Sequence, residues 1–224
     1  SSYWLTYKQI TAYNKNYHNT LNAINELERI EGESIKLTLE KSAIIQELND
    51  IKEAIKILLK AHDPDSANVE IVKRLVSLYL EDQNFEDAEI FNMLLLREFS
   101  DDSAGHINAA IISLNNGSPS EAIKYLEPVI TRFNDNYLAL YLLGTSYFQN
   151  KDLSNAEKYI SLSLAKYPQS RNSKHTLAMI YDQTGFWIKS DSLYLDLIKT
   201  DSTDAQAYNN CLLYTSDAAD EGLG

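Results

Sequence analysis

The chain has 224 residues, 44% of them hydrophobic and 23% charged, with only 7 Gly and 4 Pro, a composition that excludes disorder and makes long helices the default. A net charge of −12 and the lack of any Lys/Arg run disfavour a nucleic-acid surface, since phosphate contacts need clustered cations. No stretch approaches the ~20 consecutive apolar residues of a membrane span, and the acidic balance reads as a solvated helix surface that favours basic or neutral partners.

Residues 1–34 open with Ser1-Ser2-Tyr3-Trp4, without a Met, and read as a fragment or processed start. No compartment is assigned from the missing leader. Trp4, Tyr17, Thr20, Ile24 and Leu27 stay in frame with the later units, but Lys8 occupies the position of close approach. In 35–68, Leu48 to Ala54 reads as a turn and a second helix, while Lys41 and Ser42 weaken the first. Residues 69–102 supply Leu75, Val76, Tyr79, Phe85, Ala88 and Leu95. In 103–136, Ser118-Pro119-Ser120-Glu121 predicts a capped helix start, and Pro128 is expected to kink the helix that follows. Residues 137–170 give the clearest unit: two apolar helical patterns around the polar Gln149-Asn150-Lys151-Asp152. Ser154 with Glu157 is expected to cap its second helix, and Pro168 to stop it. Residues 171–204 repeat the pattern with Leu177, Ala178, Tyr181, Gly185, Trp187, Ser190, Tyr194 and Leu197, and 205–210 look like the start of a further unit.

Thr20, Ala54, Ala88, Ala122, Ala156 and Ser190 stand 34 residues apart, a column of small side chains suited to tightly crossing helices. A fixed period of this length indicates stacked supersecondary units. Gly144 costs stability inside a helix and makes sense only where another backbone comes close.

Leu140, Leu143, Gly144, Tyr147, Ala156, Ile160 and Pro168 resemble the tetratricopeptide repeat pattern. The resemblance implies an all-α, right-handed α-solenoid of about six antiparallel helix pairs. It covers five repeats in 35–204 (35–68, 69–102, 103–136, 137–170 and 171–204), with 1–34 a degenerate repeat or N-terminal cap and 205–210 the start of a truncated repeat. Residues 211–221 resemble one reading frame of a transposase-type sequencing adapter, so 211–224 is expected to be a non-native tail. That tail holds the only cysteine, Cys211, and no disulfide framework is possible. Residues 205–215 are expected to be helical, with Leu212 and Leu213 docked on the last repeat.

The resemblance further implies that first helices line a concave groove and second helices form the back. Off the packing columns, the groove is expected to show Lys73, Arg74, Ile107, Asn108, Ile111, Leu138, Tyr141, Leu142, Thr145 and Phe148. Glu70, Ser77, His175, Thr176, Met179 and Asp182 flank them. Apolar and aromatic anchors ringed by polar residues suit a peptide or a partner helix. Some relatives clamp a C-terminal carboxylate with cations and Asn from three repeats. Lys73 and Asn108 match that clamp, but Ser77, Leu138 and Leu142 do not, and the missing cations exclude it.

No catalytic constellation is found. His18, His62, His106 and His175 lie in different units without ligand partners, so no metal or cofactor is expected. Asp63-Pro64-Asp65 and Asp201 to Asp204 lack the length and Gly of a calcium loop and read as helix stops and caps. Asn116-Gly117-Ser118 reads as an inter-helix turn. The expected function is a non-catalytic scaffold for a protein or peptide ligand. The alternatives are the recognition arm of a larger enzyme, or an envelope or assembly component.

Overall fold

In the computed structural model, residues 1–211 are described. Twelve helices have defined limits: α1 (Ser2–Tyr13), α2 (Tyr17–Glu31), α3 (Ile35–Glu47), α4 (Ile51–Ala61), α5 (Val69–Glu81), α6 (Phe85–Glu98), α7 (Ser103–Asn115), α8 (Pro119–Leu126), α9 (Tyr137–Gln149), α10 (Leu153–Lys166), α11 (Arg171–Thr184) and α12 (Trp187–Thr200). Residues 205–211 are also helical (α13). The described residues contain no strand.

Capping explains why the helices start where they do. Ser34, Asn68, Asp102, Asn136, Ser170 and Asp204 stand 34 residues apart. Each accepts a hydrogen bond from a backbone amide in the first turn of α3, α5, α7, α9, α11 or α13, satisfying donors that the helix leaves open. A second column starts the other helix of each pair: the side chains of Asn16, Asp50, Asn84 and Asp152 accept from Asn19, Glu53, Asp87 and Asn155 amides. Ser118 holds the same position without a side-chain cap bond, and Phe186 has none to give.

The turn within each pair is equally periodic. Lys15, Asn49, Gln83, Gly117, Lys151 and Gly185 all have positive φ, between 53° and 78°. The amide of the next residue then donates to a carbonyl five residues back, for example Asn84 to Tyr79 and Asp152 to Tyr147 at 2.9 and 3.0 Å. Only glycine enters this region without steric cost, so four of the six turns hold a strained residue.

Three local expectations change. Asp152, not Ser154, caps α10, because its carboxylate reaches the Asn155 amide at 3.1 Å. Ser118 precedes Pro119 at the start of α8, as expected of a cap, but its hydroxyl makes no cap bond. Pro128 does not kink the helix but ends it: α8 stops at Leu126 and a 3-10 turn, Glu127–Val129, follows. Proline offers no N–H to continue the ladder.

The chain divides into two compact units, Ser1–Asn108 and a second beginning at Ala109, with the boundary inside α7. In the first unit each helix from α1 to α6 packs on the next, and α3 also touches α5. Ile24, Leu58, Leu75, Ala54 and Ala88 are fully buried there. Lys8 reaches across to Glu40 of α3, and Lys41 pairs with Glu28 at 2.6 Å.

In the second unit, α8 to α12 pack in succession and α9 also touches α11. Ala122, Ala156 and Ser190 are fully buried, as are Leu126, Ile160 and Tyr194 one turn along the same helices. Gly144 explains the close crossing of α9 and α10: a Cβ there would sit 2.7 Å from Ile160 Cγ1 and 2.9 Å from the Ile160 amide nitrogen. Ala207 of α13 joins Ala178, Tyr194 and Leu197 in one buried cluster, with Cys211 partly buried against it. The expected docking of Leu212 and Leu213 lies outside the described residues, as does the rest of the tail.

Candidate binding surface

Of the residues expected in a groove, Lys73, Arg74, Ile107 and Asn108 belong to the first unit. Lys73 pairs with Glu70 at 3.3 Å and with Asp102. The hydrogen bond to Asp102 holds its ammonium above the usual lysine range, against the opposing effect of burial. Arg74 donates to Ser42 Oγ at 3.4 Å and to Gln46 Oε1, and burial depresses its pKa. Both cations are therefore engaged within the fold. Ile107 is 7% exposed and offers almost no surface, a correction to its expected place in the groove. Asn108 is half-buried.

The second unit contains the more accessible set. Ile111 on α7, and Leu138, Tyr141, Thr145 and Phe148 on α9, are all half-buried. Leu142 is 7% exposed; it packs into the core and is the second correction. Thr145 Oγ1 is shielded from solvent and has no hydrogen-bond partner. His175 on α11 is also interior: its Nε2 lies 2.8 Å from Asp204 Oδ2.

Asp204 is the centre of this junction. Its carboxylate accepts from the Ala207 amide at 3.0 Å and pairs with Arg171 at 3.0 Å. Burial works to raise its pKa, but the Ala207 amide, His175 and Arg171 together lower it.

A recess of about 300 Å³ opens beside Leu138 and Tyr141. Its walls are Tyr137, Leu138 and Tyr141 from α9, Tyr167, Gln169 and Ser170 from the α10–α11 linker, and Arg171 and Asn172 at the start of α11. The Tyr137 and Tyr167 rings lie 4.9 Å apart and are tilted by 44°. Tyr137 is 42% and Tyr167 46% exposed. Sequence reasoning found Leu138 and Tyr141 but missed the other walls. Tyr167 and Gln169 sit in a linker, where no helical period marks them.

Residues 107–171 match the family model described as tetratricopeptide repeat. The helix pairs of this stretch are similar to tetratricopeptide repeats. A crystal structure of a tetratricopeptide repeat protein from Parabacteroides merdae superposes with a TM-score of 0.72 at 12% identity, covering 88% of this chain and 78% of that one. The thermophilic repeat protein TTC0263 of Thermus thermophilus gives a TM-score of 0.63 at 14% identity, over 80% of this chain and all of its own (100%). YrrB, whose structure is described as a repeat protein with an unusual peptide-binding site, gives a TM-score of 0.61 at 13% identity, covering 83% and 95%.

Among curated proteins, the chain is similar to protein O-mannosyl-transferase TMTC3 of Homo sapiens, 26% identical over 168 residues, which is 73% of this chain and 18% of that protein. The Drosophila melanogaster Tmtc3 is 26% identical over 125 residues, 55% of this chain and 14% of its own length. The repeat chain thus spans less than a fifth of the curated relatives it matches. None of its described helices is long and apolar enough to cross a membrane.

Proposed function

We propose that this chain is a non-catalytic interaction scaffold that holds a peptide or helix of a partner protein on its first helices. The observation that carries the reading is the exposed face of α9. Leu138, Tyr141 and Phe148 present half-buried apolar and aromatic side chains there. Rigid aromatic anchors of this kind supply most of the energy at protein interfaces. The peptide-binding description of YrrB supports the same use of the fold. The stretch shared with the two transferases is under a fifth of either protein, and the reading takes no activity from them.

The test is selection from a random peptide library against the intact chain. The expected outcome is enrichment of a consensus whose binding is lost in Tyr141→Ala/Phe148→Ala while the helical circular dichroism is kept. Binding that survives both substitutions contradicts the reading.

A further inference from the structure

The tyrosine recess of the second unit is not required by the repeat. At the positions of Tyr137, Tyr141 and Tyr167 the unit two periods earlier carries Val69, Lys73 and Phe99, and none of the other five units has tyrosine at any of the three. Stacking the helices therefore does not explain why three tyrosines converge. They are also poorly placed for stability, with Tyr137 and Tyr167 nearly half exposed.

The polar chemistry of the recess narrows what fits. Arg171 carries its only full charge, and its guanidinium is already held by Asp201 at 3.3 Å and Asp204 at 3.0 Å. A carboxylate ligand would have to compete with both. The hydroxyls of Tyr137, Tyr141 and Tyr167 and the amides of Gln169 and Asn172 have no hydrogen-bond partner among the described residues and are free to donate. No carboxylate lines the recess. The site thus combines flat apolar faces with neutral donors.

We infer that this recess binds a proline-rich segment in the polyproline II conformation. Such a segment has no internal hydrogen bonds, so its carbonyls seek donors, and each proline has no N–H to satisfy. Its rings pack on aromatic faces, and its preformed shape limits the entropy lost on binding. A helix brings its carbonyls already paired and leaves the donors idle. A β-strand also brings N–H groups, and only the neutral oxygens of the tyrosines, Gln169 and Asn172 could accept them. The volume is at the small end for a ligand pocket and admits a short stretch of prolines. The rest of the segment would continue along α9 past Leu138. This inference rests on the scaffold reading and names the chemistry of its ligand.

The test is fluorescence anisotropy of labelled octaproline with the intact chain, beside a Gly-Ser peptide of equal length and a mannose oligosaccharide. Octaproline alone is expected to bind. Tyr167→Ala and Tyr141→Ala are each expected to weaken it by about tenfold or more. Tyr167→Phe, which keeps the ring and loses the donor, is expected to fall between wild type and Tyr167→Ala. Unchanged helical circular dichroism separates loss of binding from loss of fold. Failure of octaproline to bind overturns the inference, as does binding that ignores Tyr167→Ala, or capture of the oligosaccharide instead. If the random library still yields peptides that need Tyr141 and Phe148 while octaproline fails, the scaffold reading stands without this one. If neither binds, both fall.

Discussion

Replacing Gly144 by alanine is expected to destabilise the second unit although alanine is the better helix former. On propensity alone the change gains about 1 kcal/mol. The new Cβ would meet Ile160 Cγ1 at 2.7 Å, Cδ1 at 2.8 Å and the Ile160 amide nitrogen at 2.9 Å. Ile160 is fully buried, so its side chain has no empty space to turn into, and the amide nitrogen moves only if α10 moves with it. Overpacking of this kind costs about 1–3 kcal/mol, and a contact with backbone places it at or above the upper end. The net loss is about 2 kcal/mol, or about 4–8 °C in Tm for a chain of this size. Urea denaturation followed by circular dichroism at the helical band measures it. Gly144→Ala in an Ile160→Ala background separates the two clashes. Removing the side chain is expected to recover about 1 kcal/mol of the loss, leaving the amide contact in place. A Gly144→Ala protein as stable as wild type, or more so, would refute the argument that close crossing of α9 and α10 dictates glycine.

Three further outcomes follow from the periodic caps and turns. Lys151→Gly and Gln83→Gly each relieve a positive φ, 66° and 57°; each is expected to stabilise by about 0.5–1 kcal/mol, measured by the same denaturation. Asn136→Ala removes the acceptor for the Leu138 and Ala139 amides and is expected to cost about 1 kcal/mol; hydrogen exchange in the first turn of α9 is the direct readout. Asp204 has a folded pKa below its unfolded value, so its contribution is complete above the ordinary carboxylate range and is lost as pH falls through the folded value. Wild type is therefore expected to be more stable than Asp204→Asn at pH 7, with the gap closing on acidification, as pH-dependent urea midpoints would show.

The packing was more legible in the sequence than the caps and the site, for physical reasons. The column from Thr20 to Ser190 is visible because tight crossing admits only small side chains, and those residues are all at most 1% exposed. The caps were mostly missed because Ser, Asn and Asp serve alike; Ser34, Asn68 and Asp102 form a column only when grouped by chemistry. The spacing of Ser154 to Glu157 matches a capping box, while the residue that caps α10, Asp152, stands two positions earlier in the polar turn. Lys15, Gln83 and Lys151 gave no sign of left-handed turns, since neither lysine nor glutamine favours that region. For the groove, helical period marks which residues share a face but not how deeply a face is covered. Ile107 and Leu142 were therefore indistinguishable from Tyr141 and Phe148 until their burial was seen. Tyr167 lies between helices, where no period applies.

A partner held on the exposed face of α9 leaves a footprint on that helix. The most direct measurement is the backbone amide NMR footprint of a library-selected peptide bound to the intact chain. Shifts are expected to concentrate at Leu138, Tyr141, Thr145 and Phe148 and at the start of α11. Shifts centred on α10 and α12, with α9 undisturbed, would contradict it.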